Sequence, residues 1–277
     1  MAGQSEITNM ALFCDFENIA LGVRDAKYPP FDIRKVLERL LLKGSIVVKK
    51  AYCDWERYKD FKATMHEAAF ELIEIPHVRQ SGKNSADIRM VVDALDLCYT
   101  KAHVDAFVII SGDSDFSPLV SKLRENNKYV IGIGVKDSTS DLLSANCDEF
   151  IFYDDLVRGM EAKKPAARKT PVKAAADTTD TTKGAVTRSA EAKRQDALDF
   201  LVETVEALIV ERGSDEKIWG SLVKSTLQRR RPGFAESYYG YRSFKELVED
   251  AQKHKLLSMQ RDEKSGQYTL RLPAGED

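Results

Sequence analysis

Asp113 and Asp115 flank Ser114 and follow directly on the run Ala106-Phe-Val-Ile-Ile110-Ser-Gly112. A continuously apolar, β-branched run that breaks at Ser-Gly is the pattern of a buried parallel strand. Ligands of open α/β sheets bind beyond the carboxyl ends of the strands, so two carboxylates just after such a strand stand where chemistry is expected. The same residue types also build turns and cap helices. Two more acids occupy comparable places. Asp15 follows the apolar run Met10 to Cys14, within Asp15-Phe-Glu-Asn18, and Asp87 lies near the start of an amphipathic stretch. Acids that converge repel, and a like-charged pair about 4 Å apart costs ~4 kcal/mol at an effective dielectric of about 20. Such a cluster persists by binding protons, by pairing with Lys or Arg, or by holding a divalent cation. Mg²⁺ and Mn²⁺ suit carboxylate oxygens and would activate water against a phosphodiester. Asn18 could orient a ligand or water, and Lys83 could meet a phosphate as a point charge. Ser111 and Ser114, interleaved with the acids, are further candidates for substrate contact.

Other chemistries find little support. The chain has no GxxxxGK[ST] loop, no GxGxxG and no GxSxG elbow, and Gly132-Ile-Gly134 is too short a match to count. Cys14, Cys53, Cys98 and Cys147 form no CxxC pair, and the four histidines are scattered, which argues against zinc and against disulfides. Asp93 lies six residues after Asp87, well around a helix from it, and reads as structural or surface; Glu17 and Asp96 stay open.

The elements that must position these acids follow from periodicity. A helix is expected from the N-cap Asp32, with Ile33, Val36, Leu37, Leu40 and Leu41 inward and Gly44 as its stop. Ser45 to Tyr52 reads as a strand, Phe61 to Ala69 as a helix, and Leu72 to Ile75 as a short strand. Ser85 to Tyr99 reads as a helix whose inward face is Ile88, Val91, Val92 and Leu95. A helix beyond Pro118 and strands at Tyr129 to Val135 and Phe150 to Phe152 complete the alternation. Strands alternating with helices imply βαβ units and an α/β fold, a doubly wound parallel sheet covered on both faces, over residues 8–156.

From Ala162 the composition turns to Ala, Thr, Lys, Arg and Pro without aromatics, so residues 157–195 read as a disordered basic linker. Its lysines and arginines (Lys163, Lys164, Arg168, Lys169, Lys173) suit either a solubilising tether or contact with RNA. A small winged-helix domain is expected over 196–273. Leu198 to Ile209 forms a helix closed by Gly213, and a second helix carries Trp219, Leu222, Val223 and Leu227. A third opens on the capping box Ser243-Phe-Lys-Glu246, and a hairpin follows around Lys264-Ser-Gly266.

With 43% hydrophobic and 31% charged residues the chain reads as soluble and globular, and no apolar run approaches a membrane span. The polar N-terminus and the unpaired cysteines suggest the cytoplasm. A net charge of −2 means that nucleic acid would be met by local basic regions and not by a global field.

Three ordered motifs, Asp15-Phe-Glu-Asn18, Lys83 with Asp87-Ile88, and Ser111-Gly-Asp-Ser-Asp-Phe116, resemble the NYN domain, a PIN-like group of metal-dependent ribonucleases that includes LabA-like bacterial proteins. The resemblance implies a Rossmann-like PIN fold over 8–156. It further implies Mg²⁺ or Mn²⁺ held by Asp15, Asp87, Asp113 and Asp115, with Asn18 completing the pocket, and RNA as substrate, DNA being the other phosphodiester such a site could cut. The C-terminal region resembles the LOTUS or OST-HTH domain through Trp219 to Leu227, Pro232-Gly-Phe234, Tyr239-Gly-Tyr241 and Phe244-Lys-Glu-Leu247. That implies binding of RNA or of a protein partner. Arg229, Arg230, Arg231, Arg242 and Lys245 are the candidates for phosphate contact there, and Tyr238, Tyr239 and Tyr241 for stacking. The alternative function is a non-catalytic RNA-binding regulatory adaptor.

Overall fold

The structure, a computed structural model, describes residues 9–75, 85–161, 183–213, 216–262 and 267–273. The chain divides into two compact units, Met1–Ala166 and Ala167–Asp277.

In the first unit the elements run β1 (Asn9–Asp15), α1 (Phe16–Asp25), α2 (Ile33–Lys43), β2 (Ser45–Cys53), α3 (Lys59–Glu67), β3 (Glu71–Glu74) and α4 (Ser85–Thr100). They continue with β4 (Ala106–Ile110), α5 (Ser117–Glu125), β5 (Tyr129–Gly134), α6 (Asp141–Asn146), β6 (Glu149–Phe152) and α7 (Tyr153–Glu161). The strands form one sheet in the order β3-β2-β1-β4-β5-β6, every neighbouring pair parallel. The chain winds outward from β1 in one direction and from β4 in the other, so the switch point lies between these two strands. Their side chains alternate between two buried layers. Met10, Leu12, Cys14, Ala106, Val108 and Ile110 face one, whereas Ala11, Phe13, Phe107 and Ile109 face the other. Central strands buried on both faces must be apolar throughout, which is why β1 and β4 show no polar alternation.

Local signals set several boundaries as expected. Asp32 caps α2 by accepting from the Arg34 amide at 3.0 Å, and the Gly44 N–H closes that helix on Leu40. The reading of α4 needs correction. Its buried face is Met90, Ala94 and Cys98, while Val91 and Leu95 are half-buried and Ile88 and Val92 exposed. The helix carries two apolar stripes, and the one with the smaller side chains Ala94 and Cys98 lies in the layer built on Phe13, Tyr52 and Phe107.

The second unit contains α8 (Lys183–Arg212), β7 (Ile218–Trp219), α9 (Gly220–Arg230), a 3-10 turn at Glu236–Tyr239, α10 (Phe244–Lys253), β8 (Ser258–Arg261) and β9 (Tyr268–Arg271). The three strands form an antiparallel sheet in the order β7-β9-β8. Gly213, at φ +94°, follows the end of α8, and Ser243 caps α10 by accepting from the Glu246 amide. Trp219 lies in a strand, contrary to the helix expected there, and pairs with Thr269; the helix starts at Gly220, where a Cβ would strike the Tyr268 ring. Residues 157–195 are also more structured at both ends than their composition suggests. Helix α7 runs to Glu161, held by buried Tyr153 and Val157, and α8 begins at Lys183. Ala, Lys, Arg, Glu and Gln lack a core-forming face but are the best helix formers, and here they extend a helix whose later turns are buried through Leu198, Leu201 and Val205. The linker lysines and Arg168 lie outside the described residues.

Candidate active site

Asp15 ends β1 and is also the N-cap of α1. Its Oδ1 accepts from the Asn18 amide at 3.3 Å, and its Oδ2 accepts from the Ser111 hydroxyl at 3.0 Å. The Ser111 Oγ in turn accepts from the Asp113 amide at 3.2 Å, and the Asn18 Oδ1 accepts from the Gly112 amide at 2.9 Å. Gly112 also accepts from the Ser140 amide at 2.9 Å, and a Cβ on Gly112 would collide with the Ser138 carbonyl oxygen. One hydrogen-bonded network thus locks the ends of β1 and β4 and the turn before α6 together at the switch point. Asp113 caps the 3-10 turn Ser114–Phe116 through the Asp115 amide at 2.9 Å. Asn18 acts here as a brace, its amide oxygen held on the Gly112 backbone.

The electrostatics identify which acids share this space. Asp15 is 8% exposed, and its carboxyl is pushed up to about 7. Burial is the main cause, followed by the charge of Asp87; the Asn18 and Ser111 hydrogen bonds pull the other way, and Asp113 adds a smaller upward push. Asp87, half-buried on the first turn of α4, is pushed up to about 6 by burial and then by the charges of Asp113, Asp115 and Glu17. Among the described residues, the charges that shift Asp87 are all acidic. Glu17, which the sequence left open, is half-buried and ion-paired with Arg57 at 2.9 Å. Asp115 is exposed, and Ser114 sits beside it in the same turn. Lys83 lies outside the described residues. Asp93 belongs to a separate network beneath α4, accepting from the Tyr52 hydroxyl at 2.9 Å and from Arg89 at 3.0 Å.

Among the described residues no three His, Cys, Asp or Glu side chains form a ready-made metal cage. The donor chemistry nonetheless fits a hard divalent cation. Asp15 has spent one lone pair of each oxygen on a hydrogen bond and retains the others. Mg²⁺ commonly takes only one or two carboxylates and keeps several waters. Asp15, Asp87 and Asp113 are the acids of this neighbourhood from which such an ion could draw one or two ligands, with exposed Asp115 at the margin.

In the second unit the three consecutive arginines differ in exposure: Arg230 is turned inward, Arg229 is half-buried, and Arg231 is exposed, 3.7 Å from Asp196. Arg230, with its side chain 11% exposed, donates to the buried Thr204 Oγ1 at 2.7 Å and to Glu203 at 2.6 Å. Arg229 donates to Thr226 Oγ1 at 2.9 Å, and Arg231 lies 4.2 Å over the Phe200 ring and 3.2 Å from the Tyr239 hydroxyl. Arg242 is exposed, and exposed Lys245 lies 3.5 Å from Glu249. Tyr239 and Tyr241 are buried, whereas Tyr238 is 61% exposed with the Lys193 ammonium 4.2 Å over its ring. Lys193 falls in the stretch read from the sequence as linker. Only the helical continuation of α8 brings it to Tyr238.

Among curated proteins, the chain is similar to an uncharacterized protein of Methanocaldococcus jannaschii, 28% identical over 120 residues. The match takes in 43% of this chain and 47% of that protein, so the chain spans about half the length of this relative. Among solved structures, it is similar to the crystal structure of a Vibrio parahaemolyticus protein of unknown function. The two share 26% identity and a TM-score of 0.48, over 55% of this chain and 97% of the other. The NYN domain model matches residues 9–154, the whole of the parallel sheet and the acidic switch point within it. The chain therefore belongs to the NYN domain family, within the PIN-like nuclease superfamily.

Proposed function

We propose that this chain is a cytoplasmic, divalent-metal-dependent ribonuclease that hydrolyses RNA phosphodiesters at the switch point of its parallel sheet. The observation that carries the reading is the gathering of Asp15, Asp87 and Asp113 around one braced loop, close enough that repulsion helps hold two of the carboxyls well above their ordinary range. A cluster this costly is useful where a cation relieves it. Mg²⁺ or Mn²⁺ bound there would supply an activated water and charge stabilisation for the phosphodiester. Asp15, Asp87 and Asp113 would supply the carboxylate ligands of such an ion, and Asp115 would add negative charge at the rim. Ser111 orients the Asp15 carboxylate, Asn18 fixes the Gly112 backbone, and Ser114 and Lys83 meet substrate oxygens.

The C-terminal unit acts in this reading as a LOTUS or OST-HTH-like module that holds RNA. Its helices packed beside a small antiparallel sheet support this, as does exposed Tyr238 under Lys193, which offers a base a stacking face beside a cation. Arg231, Arg242 and Lys245, all exposed, are the phosphate contacts favoured there, since Arg230 is engaged within the fold and Arg229 is held on Thr226.

The test is cleavage of a labelled mixed RNA and a matched DNA, with Mg²⁺, with Mn²⁺ and with chelator. Wild type should give metal-dependent products from RNA, and Asp113→Asn should give none while binding RNA as before. Equal cleavage by Asp113→Asn would refute the mechanism, and products from DNA alone would refute the substrate class. RNA binding with no products under any condition would make the chain a non-catalytic RNA-binding adaptor.

A further inference from the structure

Helix α4 has two apolar stripes: one is buried against the sheet, and the other is largely exposed, although Leu95 within it also packs on that layer. Met90, Ala94 and Cys98 are buried, whereas Ile88 is 63% exposed, Val92 56% and Tyr99 65%. Ile88, Val92, half-buried Leu95 and Tyr99 are spaced four, three and four residues apart, the a/d repeat of a coiled-coil seam. We infer that this seam is the interface of a two-fold dimer, in which α4 packs antiparallel against α4 of a second copy of the chain.

The charges beside the seam argue for that occupant and that direction. One edge carries Arg89 and Asp96, seven residues apart; the other carries Val91 and Cys98, turned toward the chain's own core. In an antiparallel pair each edge meets its own equivalent in reverse order. Arg89 then faces the partner subunit's Asp96, and Asp96 faces the partner subunit's Arg89, a self-complementary arrangement of the kind a two-fold axis requires. The same register stacks Ile88 on the partner subunit's Tyr99 and Val92 on the partner subunit's Leu95. A parallel pair would set the charged edge against the apolar one and leave both charges without a partner. Arg89 can be shared in this way because its present partner Asp93 also accepts from the Tyr52 hydroxyl and lies 3.8 Å from the Lys50 ammonium. The seam begins one residue after Asp87. At 1.5 Å of rise per residue the two acidic sites would sit about 20 Å apart along the helix pair.

A three-turn seam is small beside the ~800 Å² per partner of a standard complex, so the dimer is concentration-dependent. Sedimentation velocity of the full chain over a wide concentration range should show a monomer–dimer equilibrium. Val92→Glu changes an exposed position, so it should abolish the dimer while leaving the circular dichroism, and the melting temperature at concentrations where the parent is monomeric, unchanged. Arg89→Asp and Asp96→Arg should each weaken association roughly tenfold or more through like-charge contact, and the double reversal should restore it. A chain that stays monomeric throughout, its seam left bare or covered by its own segments, would overturn the proposal. So would a dimer indifferent to Val92→Glu, or a double reversal no better than the single changes.

Discussion

Asp15→Asn should stabilise the metal-free protein at alkaline pH while removing a residue that the proposed function requires. The Asp15 carboxyl is raised from its ordinary 3.8 to about 7 in the folded chain. Below the lower value both folded and unfolded states are protonated there and nothing is lost. Between the two values the unfolded chain ionises while the folded chain keeps its proton, so stability falls with rising pH. Above about 7 both are ionised and the loss is complete. At 1.36 kcal/mol per pKa unit the penalty is about 4 kcal/mol, of which about 2–3 accumulates between roughly pH 5 and pH 7. Asparagine cannot ionise, but it also cannot accept from both the Asn18 amide and the Ser111 hydroxyl, which costs about 1 kcal/mol. The variant should therefore match wild type near pH 5 and exceed it by about 2–3 kcal/mol near pH 8. Urea unfolding in chelator measures this. The two tryptophans, Trp55 and Trp219, lie in different units, so a Trp219→Phe background makes fluorescence report the first unit alone. Mg²⁺ at pH 8 should then stabilise the parent but not Asp15→Asn. Parallel pH profiles for the two proteins from pH 5 to 8 would refute the reasoning.

Gly112→Ala should cost about 1–3 kcal/mol, because its Cβ drives against the Ser138 carbonyl. It should also speed hydrogen exchange at the residue 112 amide by loosening the bond to Asn18. Arg230→Ala should destabilise the second unit by about 1–3 kcal/mol through loss of its bonds to Thr204 and Glu203. Thermal melting followed by Trp219 fluorescence in a Trp55→Phe background checks this. Once corrected for the unfolded fraction, RNA affinity should be unchanged; a selective loss of affinity without loss of stability would make Arg230 a contact residue.

Much of the first unit is written locally in the chain. The apolar runs of β1 and β4, the cap at Asp32 and the alternation of strand and helix each depend on near neighbours, and they sufficed to place Asp15, Asp113 and Asp115 at strand ends. Glu17 and Arg57 were not legible as a pair, because they come from different βα turns and meet only when β1 and β2 align. Helix α4 marks the limit of periodicity. Its pattern identifies apolar stripes, but which stripe turns inward depends on the shape of the layer opposite, built from distant Phe13 and Phe107.

By itself the amino-acid order determined where strands and helices fall and which acids end up at the carboxyl edge, because hydrogen-bond periodicity and capping act over a few residues. Tertiary structure decided the rest. It turned Arg230 inward onto Thr204, carried Lys193 to Tyr238 along a helix that composition alone did not suggest, and raised the proton affinity of Asp15. These are effects of burial and of charges brought close through space. Both depend on how distant segments pack, and no local stretch of chain encodes them.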